Sequence, residues 1–72
     1  MDYLEAALTV LREEGTPLHW TVIQDLALKR GYLDPFAQTD IRKNLLRELS
    51  GAVADGSVRK EESTGVFSIA PG

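Results

Sequence analysis

The stretch Ile41–Ile69, IRKNLLRELSGAVADGSVRKEESTGVFSI, changes its hydrophobic period halfway. In the first half Ile41, Leu45, Leu49 and Ala52 recur at steps of three or four, with Leu46 and Val53 beside them. That is one stripe of an α-helix. Past Asp55-Gly56 the period becomes two. Val58, Phe67 and Ile69 alternate with polar residues, as half-buried strands do. The stretch therefore predicts a helix over 40–54 followed at once by an antiparallel hairpin. Thr39 is the expected N-cap, and Asp40 falls in the first turn, where the helix dipole favours an acid. The expected strands are 57–61 and 66–69, with Glu62-Ser63-Thr64-Gly65 as their turn.

Two more helices are expected upstream. Tyr3, Leu4, Ala7, Leu8 and Leu11 make one stripe over 2–14, Asp2 and Glu5 have capping-box spacing, and Gly15 is a natural stop. Thr16-Pro17-Leu18 reads as an extended connector, since a residue before proline avoids the α region. The next helix spans about 19–30. Trp20, Ile23 and Ala27 share its buried face, Val22 and Leu26 widen it, and Gly31 ends it. The segment 31–38 reads as a loop whose Tyr32, Leu33 and Phe36 are too apolar for all of them to be solvated.

Helix–helix–helix–hairpin is the order of a winged helix-turn-helix, an α+β fold with the third helix as reading helix and the hairpin as wing. A short strand near Pro17-Leu18 is permitted and would pair with Phe67 and Ile69. The expected core is Leu4, Leu8, Leu11, Ile23, Leu26, Ile41, Leu45, Leu49, Val58, Phe67 and Ile69. A chain of 72 residues holds one such domain, 1–72, with a small core. Met1 reads as an N-terminus, and Ala70-Pro71-Gly72 as an end or the start of a linker.

Composition weighs against catalysis. The chain has no cysteine and one histidine, so thiolate, metal-cluster and Ser-His-Asp chemistry lack their parts. No metal and no cofactor is expected. His19 beside Trp20 reads as a cap or surface residue, and Trp20 as a packing residue. Glu13-Glu14 and Glu61-Glu62 are adjacent in sequence, so their side chains diverge and form no carboxylate dyad. The glycines are isolated turn or cap positions, unlike a phosphate-binding loop. No apolar run reaches membrane-spanning length, and the start lacks the pattern of a signal peptide. A soluble, cytoplasmic domain without a membrane partner is expected, nucleoid-associated if bacterial.

The net charge of −3 is unevenly spread. Arg12 against Asp2, Glu5, Glu13, Glu14 and Asp25 leaves 1–28 at −4. Lys29, Arg30, Arg42, Lys43, Arg47, Arg59 and Lys60 against Asp34, Asp40, Glu48 and Asp55 bring 29–60 to +3. Glu61 and Glu62 make the tail −2. Lys43 and Arg47 lie four apart on the outward face of the third helix, with Asn44 beside them. Arginine and asparagine pair with guanine and adenine edges. Ser50, Gly51 and Ala54 are small enough for close approach. The expected DNA contacts are Lys43, Asn44 and Arg47 in the major groove, and Lys29, Arg30, Arg59 and Lys60 on phosphates. Arg42 falls near the apolar arc and reads as a snorkelling side chain.

These segments also carry a resemblance. Tyr3-Leu4-Glu5-Ala6-Ala7-Leu8 with Val10-Leu11, then Gly15-Thr16-Pro17-Leu18, Gly31-Tyr32, Ile41-Arg42 with Leu45, and Gly65-Val66-Phe67-Ser68-Ile69 resemble the HARE-HTH winged-helix family. That family includes the N-terminal domain of the RNA polymerase delta subunit and modules attached to chromatin proteins and restriction endonucleases. The resemblance implies a non-catalytic module bound to DNA or to the transcription machinery. Where the family often has Thr-Pro at the start of the third helix, this chain has Thr39-Asp40, which puts an acid where a phosphate would approach. The alternative expectation is a protein-interaction module of the transcription machinery that makes no direct DNA contact. Leu28, Tyr32 and Phe36 are its candidate partner-binding residues.

Overall fold

The computed structural model describes residues 1–62 and 64–71. Ser63 of the expected turn and Gly72 of the C-terminal tripeptide lie outside the described residues. The chain runs α1 (Tyr3–Glu14), β1 (Leu18–His19), α2 (Trp20–Lys29), α3 (Ile41–Asp55), β2 (Val58–Lys60) and β3 (Val66–Ile69). It is an α+β domain of three helices and one three-stranded antiparallel sheet in the order β1-β3-β2.

The ends of α1 follow from its sequence. Asp2 is the N-cap, its carboxylate accepting the Glu5 N–H at 2.8 Å. That bond holds the Asp2 carboxyl below its ordinary range, because the ionised form is the better acceptor. Gly15 closes the helix at φ 67°, and its N–H donates to the Leu11 carbonyl. The apolar stripe, however, is centred on Ala6, Ala7, Val10 and Leu11, all buried. Leu4 and Leu8 lie on its edge, half-buried.

The same correction applies across the core. Leu11, Ile23, Leu45, Leu49, Val58 and Phe67 are buried as expected, whereas Leu4, Leu8, Leu26, Ile41 and Ile69 pack around the margin. Ala6, Ala7, Ala27 and Ala52 take the centre. Alanine lets helix axes approach, and the larger side chains then ring the contact. In so small a core each buried leucine matters, and Leu45→Ala would cost about 2–5 kcal/mol. Val22, expected to widen the buried face of α2, is 41 % exposed.

β1 is the strand that the connector permits. Leu18 pairs with Phe67, as expected, whereas His19 pairs with Val66, and Ile69 pairs with Val58 of β2. The chain enters α2 without a loop. His19 is at once the last strand residue and the N-cap of α2, with Nδ1 accepting the Thr21 N–H at 3.2 Å and lying 2.8 Å from Thr21 Oγ1. An Nδ1 that accepts both bonds leaves the ring proton on Nε2. The Trp20 N–H donates to the Gly65 carbonyl at 2.8 Å, which joins the start of α2 to the hairpin turn. β2 and β3 pair Val58 with Ile69, Arg59 with Ser68 and Lys60 with Phe67, so the outer strand is shorter than 57–61.

The loop between α2 and α3 is well anchored. The N–H groups of Tyr32 and Leu33 both donate to the Ala27 carbonyl, and Leu33 is buried in the core at 2 % exposure. Asp34 then organises a turn: its carboxylate accepts the Phe36 N–H at 2.9 Å and its carbonyl accepts the Gln38 N–H at 2.8 Å. The α3 N-cap is Asp40 in place of the expected Thr39. Asp40 is the one non-glycine residue with positive φ, at 48°, among the described residues, and its side chain caps nothing. The Thr39 carbonyl is held by two side chains instead: Tyr3 OH donates to it at 2.8 Å and Asn44 Nδ2 at 3.0 Å. Proline has φ near −65° and would not fit Asp40's backbone.

Two glycines give opposite expectations. Gly51 is helical and exposed, with open space where a Cβ would stand. Gly51→Ala should therefore stabilise the fold by ~0.5–1 kcal/mol. Gly65 has φ 78°, and a Cβ there would meet His19 Nε2 at 2.8 Å and Trp20 Cδ1 at 2.9 Å. Gly65→Ala should destabilise by ~1–3 kcal/mol, through both backbone strain and the clash. Urea unfolding midpoints that move the same way for both variants would contradict this account.

Candidate nucleic-acid interface

The solvent face of α3 follows from what its other face buries. Leu45, Leu49 and Ala52 point into the core, so at 100° per residue Lys43, Arg47, Ser50, Gly51 and Ala54 point away from it. All five are exposed. No ion pair neutralises Lys43 or Arg47 among the described residues, where both ion pairs belong to Arg30. The face is cationic at Lys43 and Arg47 and small in side chain below them.

Asn44 does not share it. Its half-buried amide turns toward the start of α1, where Nδ2 donates to the Thr39 carbonyl at 3.0 Å and to Tyr3 OH at 3.4 Å. The structure thus places Asn44 apart from Lys43 and Arg47. Its spacing is right for a base reader, but the aromatic hydroxyl of α1 and the bare carbonyl before α3 are nearer partners. Only tertiary contact reveals them.

Arg30 is likewise engaged. Its Nη1 donates to Glu13 and its Nη2 to Glu14, each at 2.8 Å. The guanidinium is held further toward its charged form, first by Glu14 and then by Glu13. Tyr32 OH donates to the second Glu13 oxygen at 2.6 Å, which pushes the phenol pKa up. Arg30 therefore spends its donors in joining the C-terminal ends of α1 and α2. Lys29, the other expected phosphate contact of this region, is exposed on the last turn of α2.

The hairpin carries its expected cations outward. Arg59 and Lys60 are exposed on β2, next to buried Val58. An acid lies close to them: Glu61 Oε2 accepts from Ser68 Oγ at 2.8 Å, and Ser68 is the cross-strand partner of Arg59. The sheet thus offers a mixed surface, weaker than the cation count suggests.

The three apolar candidates for a protein partner separate as well. Leu28 and Tyr32 are half-buried against the core, so neither is a free surface group. Phe36 stands 97 % exposed on the turn that Asp34 organises. Arg42, expected near the apolar arc as a snorkelling side chain, is exposed, and its guanidinium carbon lies 5.3 Å from the centroid of the Trp20 ring, a contact that helical spacing alone does not show. Trp20 is itself half-buried and packed on the core, with the His19 ring at 5.7 Å.

No group of three or more His, Asp or Glu residues is placed to hold a metal ion, and no helix is long and apolar enough to cross a membrane, among the described residues.

These placements predict a split between stability and surface role. Asn44→Ala should lower the unfolding free energy by about 1 kcal/mol, since it removes the second donor to the Thr39 carbonyl. Lys43→Ala and Arg47→Ala should each stay within ~0.5 kcal/mol of the parent, as surface substitutions do. Thermal or urea unfolding reads the difference, and an Asn44→Ala midpoint equal to that of Lys43→Ala would refute it. Comparison with family models, curated proteins and solved structures returns no match to this chain.

Proposed function

We propose that the domain is a non-catalytic winged-helix module that binds duplex DNA, with α3 toward the major groove and the β2–β3 hairpin toward the backbone. The observation that carries this reading is the solvent face of α3. It presents Lys43 and Arg47 four residues apart, with no ion pair among the described residues, above the small residues Ser50, Gly51 and Ala54. Supporting it are the element order α1-β1-α2-α3-β2-β3 and the sheet order β1-β3-β2, which suit a helix-turn-helix followed by a wing. The resemblance to the HARE-HTH family points the same way, toward a transcription- or DNA-linked role and a nucleoid-associated place if the source is bacterial.

In this reading Arg47 and Lys43 approach base edges and the neighbouring backbone, while Lys29, Arg59 and Lys60 meet phosphates. Asn44 and Arg30 serve the fold in their present positions. With few contacts and an acidic remainder, binding is weak and salt-sensitive, because affinity rises with the number of counterions released. Any chemistry on DNA belongs to another domain or partner.

A second reading has its own observation. Phe36, 97 % exposed on an ordered turn, suits a module of the transcription machinery that docks on a protein. Leu28 and Tyr32 lend that reading little, since both already pack on the core.

Titration of the chain with a short duplex at low salt tests the first reading. Binding should weaken steadily as salt rises. Arg47→Ala should weaken it several-fold more than Arg12→Ala, which removes a cation from the acidic helix. Absence of salt-dependent binding would rule the reading out.

A further inference from the structure

Arg42 differs from the other cations of the middle segment. Its guanidinium lies over the indole of Trp20, with Cζ 5.3 Å from the ring centroid, yet the residue as a whole is exposed. A cation within about 6 Å of an aromatic face is attracted by the ring quadrupole, and that contact uses none of the guanidinium N–H donors. Among the described residues those donors have no acceptor: the arginine side-chain hydrogen bonds and ion pairs all belong to Arg30. Asp40, two residues earlier, makes no ion pair with it. Arg30 is neutralised by Glu13 and Glu14, whereas Arg42 rests against an indole and has no ion pair among the described residues.

The support beneath it is fixed. The Trp20 N–H donates to the Gly65 carbonyl at 2.8 Å, and a Cβ on Gly65 would stand 2.9 Å from Trp20 Cδ1. The indole therefore lies between the hairpin turn and the first turn of α3. Arg42 also lines a groove with Asp40, Ile41, Lys43 and Leu46 at that end of α3, so two cations and one acid face it.

We propose that Arg42, seated on Trp20, grips a backbone phosphate of duplex DNA at the junction of α3 and the hairpin. The inference rests on the DNA-binding reading above and adds to it a contact that helical periodicity had assigned to the apolar margin. A guanidinium offers paired N–H donors that match two phosphate oxygens. Because the indole already restricts the side chain, less conformational freedom is lost on binding than for an unsupported lysine. Trp20 is the positioning residue and Arg42 the binding residue.

The single tryptophan makes the contact observable. Duplex DNA titrated at low salt should change Trp20 emission in parallel with the anisotropy of a labelled duplex. Arg42→Ala should weaken binding roughly tenfold and lower the slope of log affinity against log salt by about one. Arg42→Lys keeps the charge, so it should retain most of the slope while losing part of the affinity. Arg42→Gln gives the same comparison as Arg42→Ala should the alanine variant fail to fold, with circular dichroism as the check. If the Arg42 variants bind as the parent does while Arg47→Ala binds more weakly, this inference is overturned and the DNA reading survives. If the parent shows no salt-dependent binding, both are overturned. Poly-glutamate changing Trp20 emission as strongly as duplex at equal charge concentration would overturn the phosphate assignment in favour of an acidic protein partner.

Discussion

The domain depends on the two residues of β1. Leu18 and His19 pair with β3, and the very next residue begins α2. No loop separates strand from helix, so the sheet register also sets where α2 starts and which of its faces meets the core. Phe67, opposite Leu18, is buried at 5 % exposure and carries that register into the hydrophobic interior. The Trp20–Gly65 hydrogen bond extends the same alignment by one residue. Shifting the pairing by one position would turn Phe67 to solvent, because strand side chains alternate between faces. Glycine at 65 is what lets the hairpin turn come this close to His19 and Trp20.

A second joint sets α3. The Thr39 carbonyl accepts from Tyr3 OH and Asn44 Nδ2, so the first residue of α1 and the fourth residue of α3 hold the same oxygen. Asp40 pays for that geometry with a left-handed backbone conformation that aspartate tolerates better than most residues. Together the two joints orient α3 against α1 and the sheet. The outward direction of Lys43 and Arg47 is a consequence.

Charge is sorted by the same framework. Glu13 and Glu14 absorb Arg30 at the far ends of α1 and α2. Among the described residues the remaining cations have no ion pair: Arg12 on α1, Lys29 on α2, Arg42, Lys43 and Arg47 on α3, and Arg59 and Lys60 on β2. A chain with net charge −3 thereby keeps a local cationic surface. Local placement governs approach to a polyanion more than the total does, since screening limits each charge to a range of about 8–10 Å.

Much of this was legible in the chain. Helical spacing and the Asp2 and Gly15 caps located α1, the change of period after Asp55-Gly56 located α3 and the hairpin, and the stripe of Leu45 and Leu49 told which side of α3 faces outward. These features are local, governed by backbone sterics, cap hydrogen bonds and the periods of helix and strand. What only the tertiary structure decided were matters of partnership. Asn44 and Arg30 have the residue types and spacing of DNA contacts, but Tyr3, Glu13 and Glu14 are distant in sequence and become their neighbours only on folding. Val10 and four alanines took the core centre from Leu4 and Leu8 because helix approach distance belongs to the pair of helices. Arg42 looked marginal on its own helix, and it became a supported, open cation only when α2 brought Trp20 beneath it. Sequence by itself determined the elements and their inner faces. The fold decided which polar side chains remain free, because that depends on what lies opposite each of them in space.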